Sequence, residues 1–214
     1  MGGSVAVTLA VIGGPSPGLT GYVSEAGSPT SPTATAYRLG VLGLAAALVL
    51  LAAALPAALR LATGLLAASG TATVLSAAVP CTAGCPLPPF DRPTLADLVH
   101  GGASIAGVAG SVFAMLAVAL VAGAGRPLRR LSAVAAAIAL PLSVMVGLAM
   151  LADGRGAVVG AVERLLLANL VAWALAAAIT VGLARSGGTG TAPPTGPGGP
   201  PGPGPGGTPI GLDM

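Results

Sequence analysis

"LVHGGASIAGVAGSVFAMLAVALVAGA", residues 98–124, decides the fold of this chain. The stretch contains no Asp, Glu, Lys or Arg and a single His near its start. A helix of about 20 mostly apolar residues is long enough to cross the hydrocarbon core of a bilayer. The stretch therefore predicts a membrane-spanning helix.

Other parts of the chain have the same character. Four further apolar stretches of spanning length are 39–59, 61–79, 131–152 and 165–184. A sixth candidate, 4–14, has only about half the required length. It is either a re-entrant piece or the remainder of a longer first helix, and it lacks the basic start of a signal peptide. We predict an all-α, polytopic transmembrane helix bundle of about six helices, the first of them short.

The composition of the whole chain agrees with this fold class. Hydrophobic residues make up 54% of the chain and charged residues only 7%, with a mean hydropathy of +0.92. Soluble proteins carry about 25% charged residues. The net charge of +3 and the five aromatic residues, two Phe, two Tyr and one Trp, give no nucleic-acid footprint. The sequence thus predicts membrane lipids as the surroundings, and no nucleic-acid partner.

The distribution of arginine indicates how the chain is oriented. Arg126, Arg129 and Arg130 cluster in a short connection before 131–152. Short loops rich in basic residues remain on the cytoplasmic side. We therefore predict a multi-pass plasma-membrane protein with a cytoplasmic C-terminus and an extracytoplasmic loop at 80–97. Every acid except Asp213 then falls on the outer side.

The C-terminal residues differ sharply from the rest. Residues 186–214 are dominated by Gly and Pro, and Gly does not recur at every third position as it does in collagen. Such a segment has too few apolar groups to offset the entropy lost on ordering. We predict two regions, a helix bundle over 1–185 and a disordered cytoplasmic tail over 186–214.

The loop that precedes 98–124 contains both cysteines. Cys81 and Cys85 lie four residues apart, and each is next to a proline. In an oxidising outer location a short disulfide is the first interpretation; free thiols and a metal site are the alternatives. A thioredoxin-like motif requires two residues between the cysteines. We expect a disulfide, and neither a metal nor a cofactor.

The start of the same apolar helix has a recognisable signature. Thr94 and Asp97 have the spacing of a capping box directly after Pro93, so the helix is predicted to begin near Thr94. His100 then lies one turn beyond Asp97. One interpretation is structural, with Asp97 as a cap and His100 bonded to a loop carbonyl. The other is a functional site, in which the catalytic candidates are Glu25, Asp97 and His100.

A polar stripe continues along this helix. Its members recur at spacings of three and four residues and so share one face; they are Asp97, His100, Ser104, Gly107 and Ser111. Interhelical hydrogen bonding is one interpretation of the stripe. The other is an outward-facing polar pocket lined by Ser104, Ser111 and Asn169. No ionisable residue lies in the middle of an apolar stretch, which argues against ion-coupled transport.

Three motifs together resemble the family called domain of unknown function 998, a group of small polytopic membrane proteins of actinobacteria. They are "GYVSEAG" at 21–27, "VPC" with "CPLPP" at 79–89, and "ADLVH" at 96–100. The resemblance extends over most of 15–184. It implies about six helices and no defined activity, and it draws attention to Ser24, Glu25, Asp97 and His100.

The sequence therefore supports a function only at the level of class. The leading hypothesis is a non-enzymatic carrier, small pore or envelope accessory factor with an outward-facing polar pocket. One alternative is a membrane enzyme that acts on a lipid or lipid-linked substrate at the outer interface. Another is a subunit that forms homo- or hetero-oligomers through small-residue helix faces, such as that of Gly40, Gly43 and Ala47.

Overall fold

The structure, a computed structural model, describes residues 21–188 of the chain. Every regular element in this range is helical, and no strand occurs within it. The five α-helices are α1 Ala34–Ala54, α2 Arg60–Ala78, α3 Leu95–Leu120, α4 Arg126–Ala152 and α5 Ala157–Gly188. Five helices in this range are long and apolar enough to cross a membrane. The all-α fold class is thus confirmed, whereas the predicted short first helix at 4–14 lies outside the described residues.

Helix α1 ends earlier than the apolar stretch 39–59 suggested. Its last residue is Ala54, and Leu55 has extended backbone angles. Leu55 precedes Pro56, and the proline ring disfavours helical angles in the residue before it. A short 3-10 turn, Ala57–Leu59, then leads into α2. The predicted span crossed a proline that in fact separates two elements.

Helix α5 is longer than the stretch 165–184. It begins at Ala157 and includes Glu163 and Arg164, and it continues to Gly188. Its last residues enter the segment predicted as tail, most of which lies outside the described residues. Apolar length gives only a minimum for a helix, because charged side chains on its end turns can reach groups outside the lipid.

Each helix packs mainly against its neighbours in the sequence. The most extensive contacts are between α2 and α3, followed by α1 with α2, α4 with α5, and α3 with α4. Three of the four connections, 55–59, 121–125 and 153–156, are only four or five residues long, so the helices that they join lie side by side and antiparallel. The connection between α2 and α3, 79–94, is longer and contains the cysteines. Leu66 on α2, with Met115 and Val118 on α3, is fully buried in the main apolar cluster. In contrast, α1 and α5 contact each other only sparsely.

Close helix contact depends on glycine at two places. A Cβ atom on Gly70 would lie 2.8 Å from a methyl group of Val49 on α1. A Cβ atom on Gly110 would lie 3.2 Å from the carbonyl oxygen of Leu65 on α2. Lipid tails are as apolar as the helix side chains, so no hydrophobic force drives helices together in a bilayer, and close packing at small residues supplies the attraction instead. Gly70 and Gly110 therefore set the spacing of α1, α2 and α3.

The bundle has two different ends. One, the capped end, contains segments 21–33, 79–94 and 153–156. The other, the arginine end, contains the connections 55–59 and 121–125, and its basic residues are Arg60, Arg126, Arg129, Arg130 and Arg185. Two of these arginines donate hydrogen bonds to helix-terminal carbonyls, Arg185 to Ala54 and Arg129 to Ala119. Cations are favourable at the C-terminal ends of helices.

Candidate functional site

The loop between α2 and α3 turns tightly around the two cysteines. The structure joins Cys81 and Cys85 in a disulfide. The backbone N–H of Cys85 donates to the carbonyl of Thr82 at 3.0 Å. Gly84 has a φ of 82° and Cys85 a φ of 45°. Glycine adopts such left-handed angles without steric cost, so Gly84 allows the chain to reverse within the five-residue loop.

Asp97 fixes this loop to the start of α3. One carboxylate oxygen accepts from the backbone N–H of Thr82 at 2.7 Å, and the other from the backbone N–H of Thr94 at 2.8 Å. Both threonine hydroxyls also donate to the carboxylate. The predicted capping box is present, and the helix begins at Leu95. Asp97 therefore caps α3 and at the same time anchors the cysteine loop.

His100 lies beneath the cysteine loop on α3 and is only 7% exposed. Its Nδ1 atom is 2.9 Å from the carbonyl oxygens of both Ser76 and Val79. Carbonyl oxygens only accept hydrogen bonds, so Nδ1 carries the proton and donates it. The buried Nε2 atom has no hydrogen-bond partner within the described residues. In the neutral ring this atom presents an unused lone pair.

A third segment, residues 21–28, covers the capped end and is called the cap below. It contains the 3-10 turn Val23–Gly27. Inside it, Glu25 accepts from the backbone N–H of Tyr22 at 3.0 Å. Arg155, from the connection between α4 and α5, donates two hydrogen bonds to the Glu25 carboxylate and forms a salt bridge with it. Glu25 is buried, and Arg155 is about half exposed.

Three further contacts attach the cap to the helices. Glu163 on α5 accepts from the backbone N–H of Val23 at 3.0 Å. Arg164 donates to the carbonyl of Gly21, and Arg38 on α1 donates to that of Gly27. Burial, followed by the nearby Glu163 carboxylate, raises the pKa of Tyr22 above its ordinary value. The cap is therefore attached to α1, to α5 and to the connection between α4 and α5.

The cap closes over the disulfide. The Ser24 hydroxyl donates to the sulfur of Cys85 at 3.5 Å. Tyr22, both cysteines and Val159 form a small buried cluster separate from the main core. The disulfide and His100 are thus enclosed between the cap, the cysteine loop and the helix ends.

The three catalytic candidates from the sequence are used in different ways. Glu25 and Asp97 are buried and bind backbone N–H groups, while His100 retains a free nitrogen. No hydrogen bond or ion pair joins any two of the three in the part of the chain that the structure describes. What lies beside His100 is the cysteine pair, since a ring nitrogen and the two sulfurs all lie within 4.8 Å of one another.

The predicted pocket-lining residues take part in interhelical hydrogen bonds. Ser104 bonds to the hydroxyl of Ser76 at 2.7 Å, and Ser111 to that of Ser69 at 2.8 Å. Asn169 donates to the carbonyl of Ala135 on α4 at 3.0 Å. Two shallow clefts lie elsewhere, at the arginine end, one beside Arg60 and Val121 and the other between α3 and α4 beside Arg126, Arg129 and Arg130.

Sequence reasoning missed several residues that build the capped end. They are Thr82, Arg155 and Glu163. Arg155 and its partner Glu25 are 130 positions apart, and Glu163 and Val23 are 140 positions apart. No local pattern indicates such pairs. A net excess of acids on one side of the predicted bundle was the only available signal.

Comparison with known proteins relates most of the chain to one family. A family model described as "Protein of unknown function (DUF998)" matches residues 2–180. No curated protein and no solved structure matches the chain. The matched range includes the cap, the cysteine loop and all five helices except the end of α5.

Proposed function

We propose that this chain, which belongs to the DUF998 family, is a non-enzymatic envelope accessory protein that acts through the surface of its capped end. The observation that carries the proposal is the use made of the acids there. Glu25, Asp97 and Glu163 each accept hydrogen bonds from backbone N–H groups. A carboxylate that accepts hydrogen bonds from backbone N–H groups is typical of a structural role. Acid–base catalysis requires a carboxylate that is free to exchange a proton with the substrate.

The hydrogen bonds between helices support the accessory role over a carrier or a pore. The serine hydroxyls on the facing sides of α2 and α3 bond to each other or to backbone carbonyls, as in the pair Ser69 and Ser111. A hydroxyl that bonds to its neighbour helix is not available to a passing solute. A carrier with an outward-facing polar pocket remains the alternative, and it would require these pairs to separate.

We propose the plasma membrane as the location, with the capped end extracytoplasmic and the C-terminus cytoplasmic. Two observations support this orientation. The arginine end contains the cluster Arg126, Arg129 and Arg130 in a short connection. The disulfide of the capped end is stable in an oxidising compartment.

We also propose that membrane lipids and other protein chains contact the outer faces of the helices. Gly43 and Ala47 on α1 are exposed in the single chain and lie one turn apart. Small residues of this kind allow close approach of another transmembrane helix. Homo- or hetero-oligomers formed on this face are the expected assembly.

The test compares two substitutions of Glu25 in a strain that otherwise lacks the chain. Glu25→Gln keeps an amide oxygen that accepts from Tyr22, whereas Glu25→Ala removes every acceptor. If the chain is an accessory protein, we expect Glu25→Gln to restore the wild-type permeability of the envelope to a dye. We expect Glu25→Ala to restore it poorly. A catalytic Glu25 would fail in both variants, because an amide cannot transfer the proton.

Lipid analysis of the same strains separates the enzyme alternative further. If the chain were an enzyme, its substrate would accumulate in the deletion strain. It would also accumulate in a His100→Ala strain that contains the protein at normal abundance. We expect no lipid species to accumulate in both. Asp91→Asn, at an exposed loop position, is the matched control for removal of a carboxylate from the capped end.

A further inference from the structure

The unpartnered Nε2 atom of His100 is the starting observation. His100 is 93% buried, yet this nitrogen has no hydrogen-bond partner in the part of the chain described. A buried polar atom without a partner is uncommon, because it has lost its hydrogen bonds to water and gained none in the protein. Such atoms are frequently the places where an ion or an ordered water molecule binds.

The second observation is what surrounds this side chain. Cys81 is 1% exposed and Cys85 is 5% exposed. Their sulfur atoms and a ring nitrogen of His100 lie within 4.8 Å of one another. Because Nδ1 already donates to two carbonyls, Nε2 is the nitrogen that remains available as a ligand.

We propose that the dithiol form of Cys81 and Cys85, together with His100 Nε2, binds one Zn²⁺ ion at the capped end. Thiolate sulfur and imidazole nitrogen are the ligands that Zn²⁺ prefers, and cysteine pairs with two to four residues between them are common in zinc sites. The spacing of Cys81 and Cys85 falls in this range. A zinc-binding histidine usually donates its other N–H to a carbonyl or carboxylate, as His100 does to Ser76 and Val79.

The charge of such a centre suits its surroundings. Two thiolates neutralise one divalent cation, so the centre with neutral His100 has no net charge. The cysteines lie in a cluster with Tyr22 and Val159, with Leu87 packed against it. A neutral centre has a far smaller desolvation cost in such an apolar place than an isolated ion.

Metal binding and the disulfide are mutually exclusive states of the same sulfur atoms. An external dithiol reduces the Cys81–Cys85 bond with two electrons and becomes a disulfide itself, leaving two thiols on the chain. Zinc then replaces the two thiol protons, which pass to solvent. Oxidation by a disulfide-forming oxidant reverses the sequence and releases the ion.

Three protein ligands leave a fourth coordination position. Asp97 is not available for it, because both of its carboxylate oxygens already accept from Thr82 and Thr94. The Ser24 hydroxyl donates to Cys85 Sγ from the cap. The fourth ligand is therefore a solvent oxygen or the Ser24 hydroxyl, under the cap. The inference is independent of the accessory function proposed above.

The experiment uses the full-length chain purified in detergent. One sample is reduced with a phosphine, a second is left oxidised, and both are incubated with Zn²⁺ and desalted before the metal is quantified. We expect about one zinc per chain in the reduced sample and less than about a tenth of that in the oxidised one. Reoxidation of the reduced sample should release the metal, so the wild-type chain is its own control.

Substitutions then identify the ligands. Co²⁺ in place of Zn²⁺ should give sulfur-to-cobalt charge-transfer absorption in the reduced wild type. Cys81→Ser should abolish this band, and His100→Ala should weaken metal affinity by at least about tenfold. Ser104→Ala, one turn further along α3, is the matched control and should leave affinity unchanged.

The proposal is overturned if the reduced chain binds no zinc, whether it stays folded or unfolds on reduction. It is also overturned if zinc uptake is equal before and after reduction. Binding that survives both Cys81→Ser and His100→Ala would assign the metal to another place. A His100→Gln variant covers the case in which His100→Ala does not fold, because the glutamine amide can replace the ring as a donor to the carbonyls.

Discussion

At the scale of single residues, Asp97 shows how one carboxylate organises the capped end. It is 1% exposed and accepts from backbone and hydroxyl groups of Thr82 and Thr94. The capping pair of Thr94 and Asp97 was readable because its partners are three positions apart. The contact to Thr82 was not readable, since it spans 15 positions and depends on the turn between the cysteines.

We predict that Asp97→Asn destabilises the chain strongly. An amide nitrogen would replace one carboxylate oxygen and face a donor, either Thr82 N–H or Thr94 N–H. A buried donor left without an acceptor costs about 1–3 kcal/mol. The apparent unfolding temperature in detergent should fall accordingly. Asp91→Asn, at an exposed position of the same loop, should not lower it; an equal fall in both variants would refute a specific role for Asp97.

The sequence does not indicate that Arg155 holds the cap in place. Its guanidinium holds Glu25 and hence the cap, although the two residues are 130 positions apart. We predict that Arg155→Ala increases amide hydrogen exchange in 21–28 by about threefold to fivefold, since a partly exposed salt bridge contributes up to about 1 kcal/mol. Peptides from α3 should exchange at the wild-type rate.

The control for this prediction is Arg92→Ala, which removes an exposed arginine from the cysteine loop. It should leave exchange in 21–28 unchanged. Equal protection in the Arg155→Ala and wild-type chains would mean that Glu163, Arg164 and Arg38 hold the cap without the ion pair.

At the scale of elements, lipid makes the helices predictable and their ends less so. Backbone groups have no water to bond with in the bilayer, so an apolar stretch of sufficient length must be helical. The ends depend on other features. Pro56 ends α1 early, and α5 extends through Glu163 because that side chain bonds to the cap. Hydropathy detects neither effect.

The contact between α2 and α3 predicts opposite effects on stability for two Gly→Ala substitutions on α3. Gly→Ala in a helix stabilises by about 0.5–1 kcal/mol when space is available. A Cβ atom at Gly102 has no neighbour within 4 Å, whereas one at Gly110 would be 3.1 Å from Ser69 Cβ and 3.2 Å from Leu65 O. Gly102→Ala should therefore raise the unfolding temperature, and Gly110→Ala should lower it.

Both substitutions lie on α3, so differences in helix propensity cancel between them. Thermal unfolding of the two variants in the same detergent is the measurement. A rise for both would mean that α2 moves away from α3 without cost, and the close approach at Gly110 would then be unimportant for stability.

At the scale of the whole molecule, the sequence separates what is local from what is not. Patterns within one stretch of sequence predict the fold class, the number of helices within the described range and the capping box of Thr94 and Asp97 at the start of α3. The enclosed centre does not, because it brings together Ser24 with Cys85, 61 positions apart, and His100 with Ser76, 24 positions apart. The polar stripe on α3 was correctly seen as one face, but only packing shows that its hydroxyls bond to α2.

The orientation of the bundle gives the last prediction. Ala83 at the capped end and Ala122 at the arginine end are both exposed. Each is replaced by Cys in a chain in which Cys81 and Cys85 are Ser, and intact cells are treated with a membrane-impermeant maleimide. Since the arginine cluster favours the cytoplasm, Ala83→Cys should react in intact cells and Ala122→Cys only after lysis. The reverse pattern would place the cysteine pair in the reducing cytoplasm, where a disulfide does not persist and the dithiol that binds zinc would be the resident state.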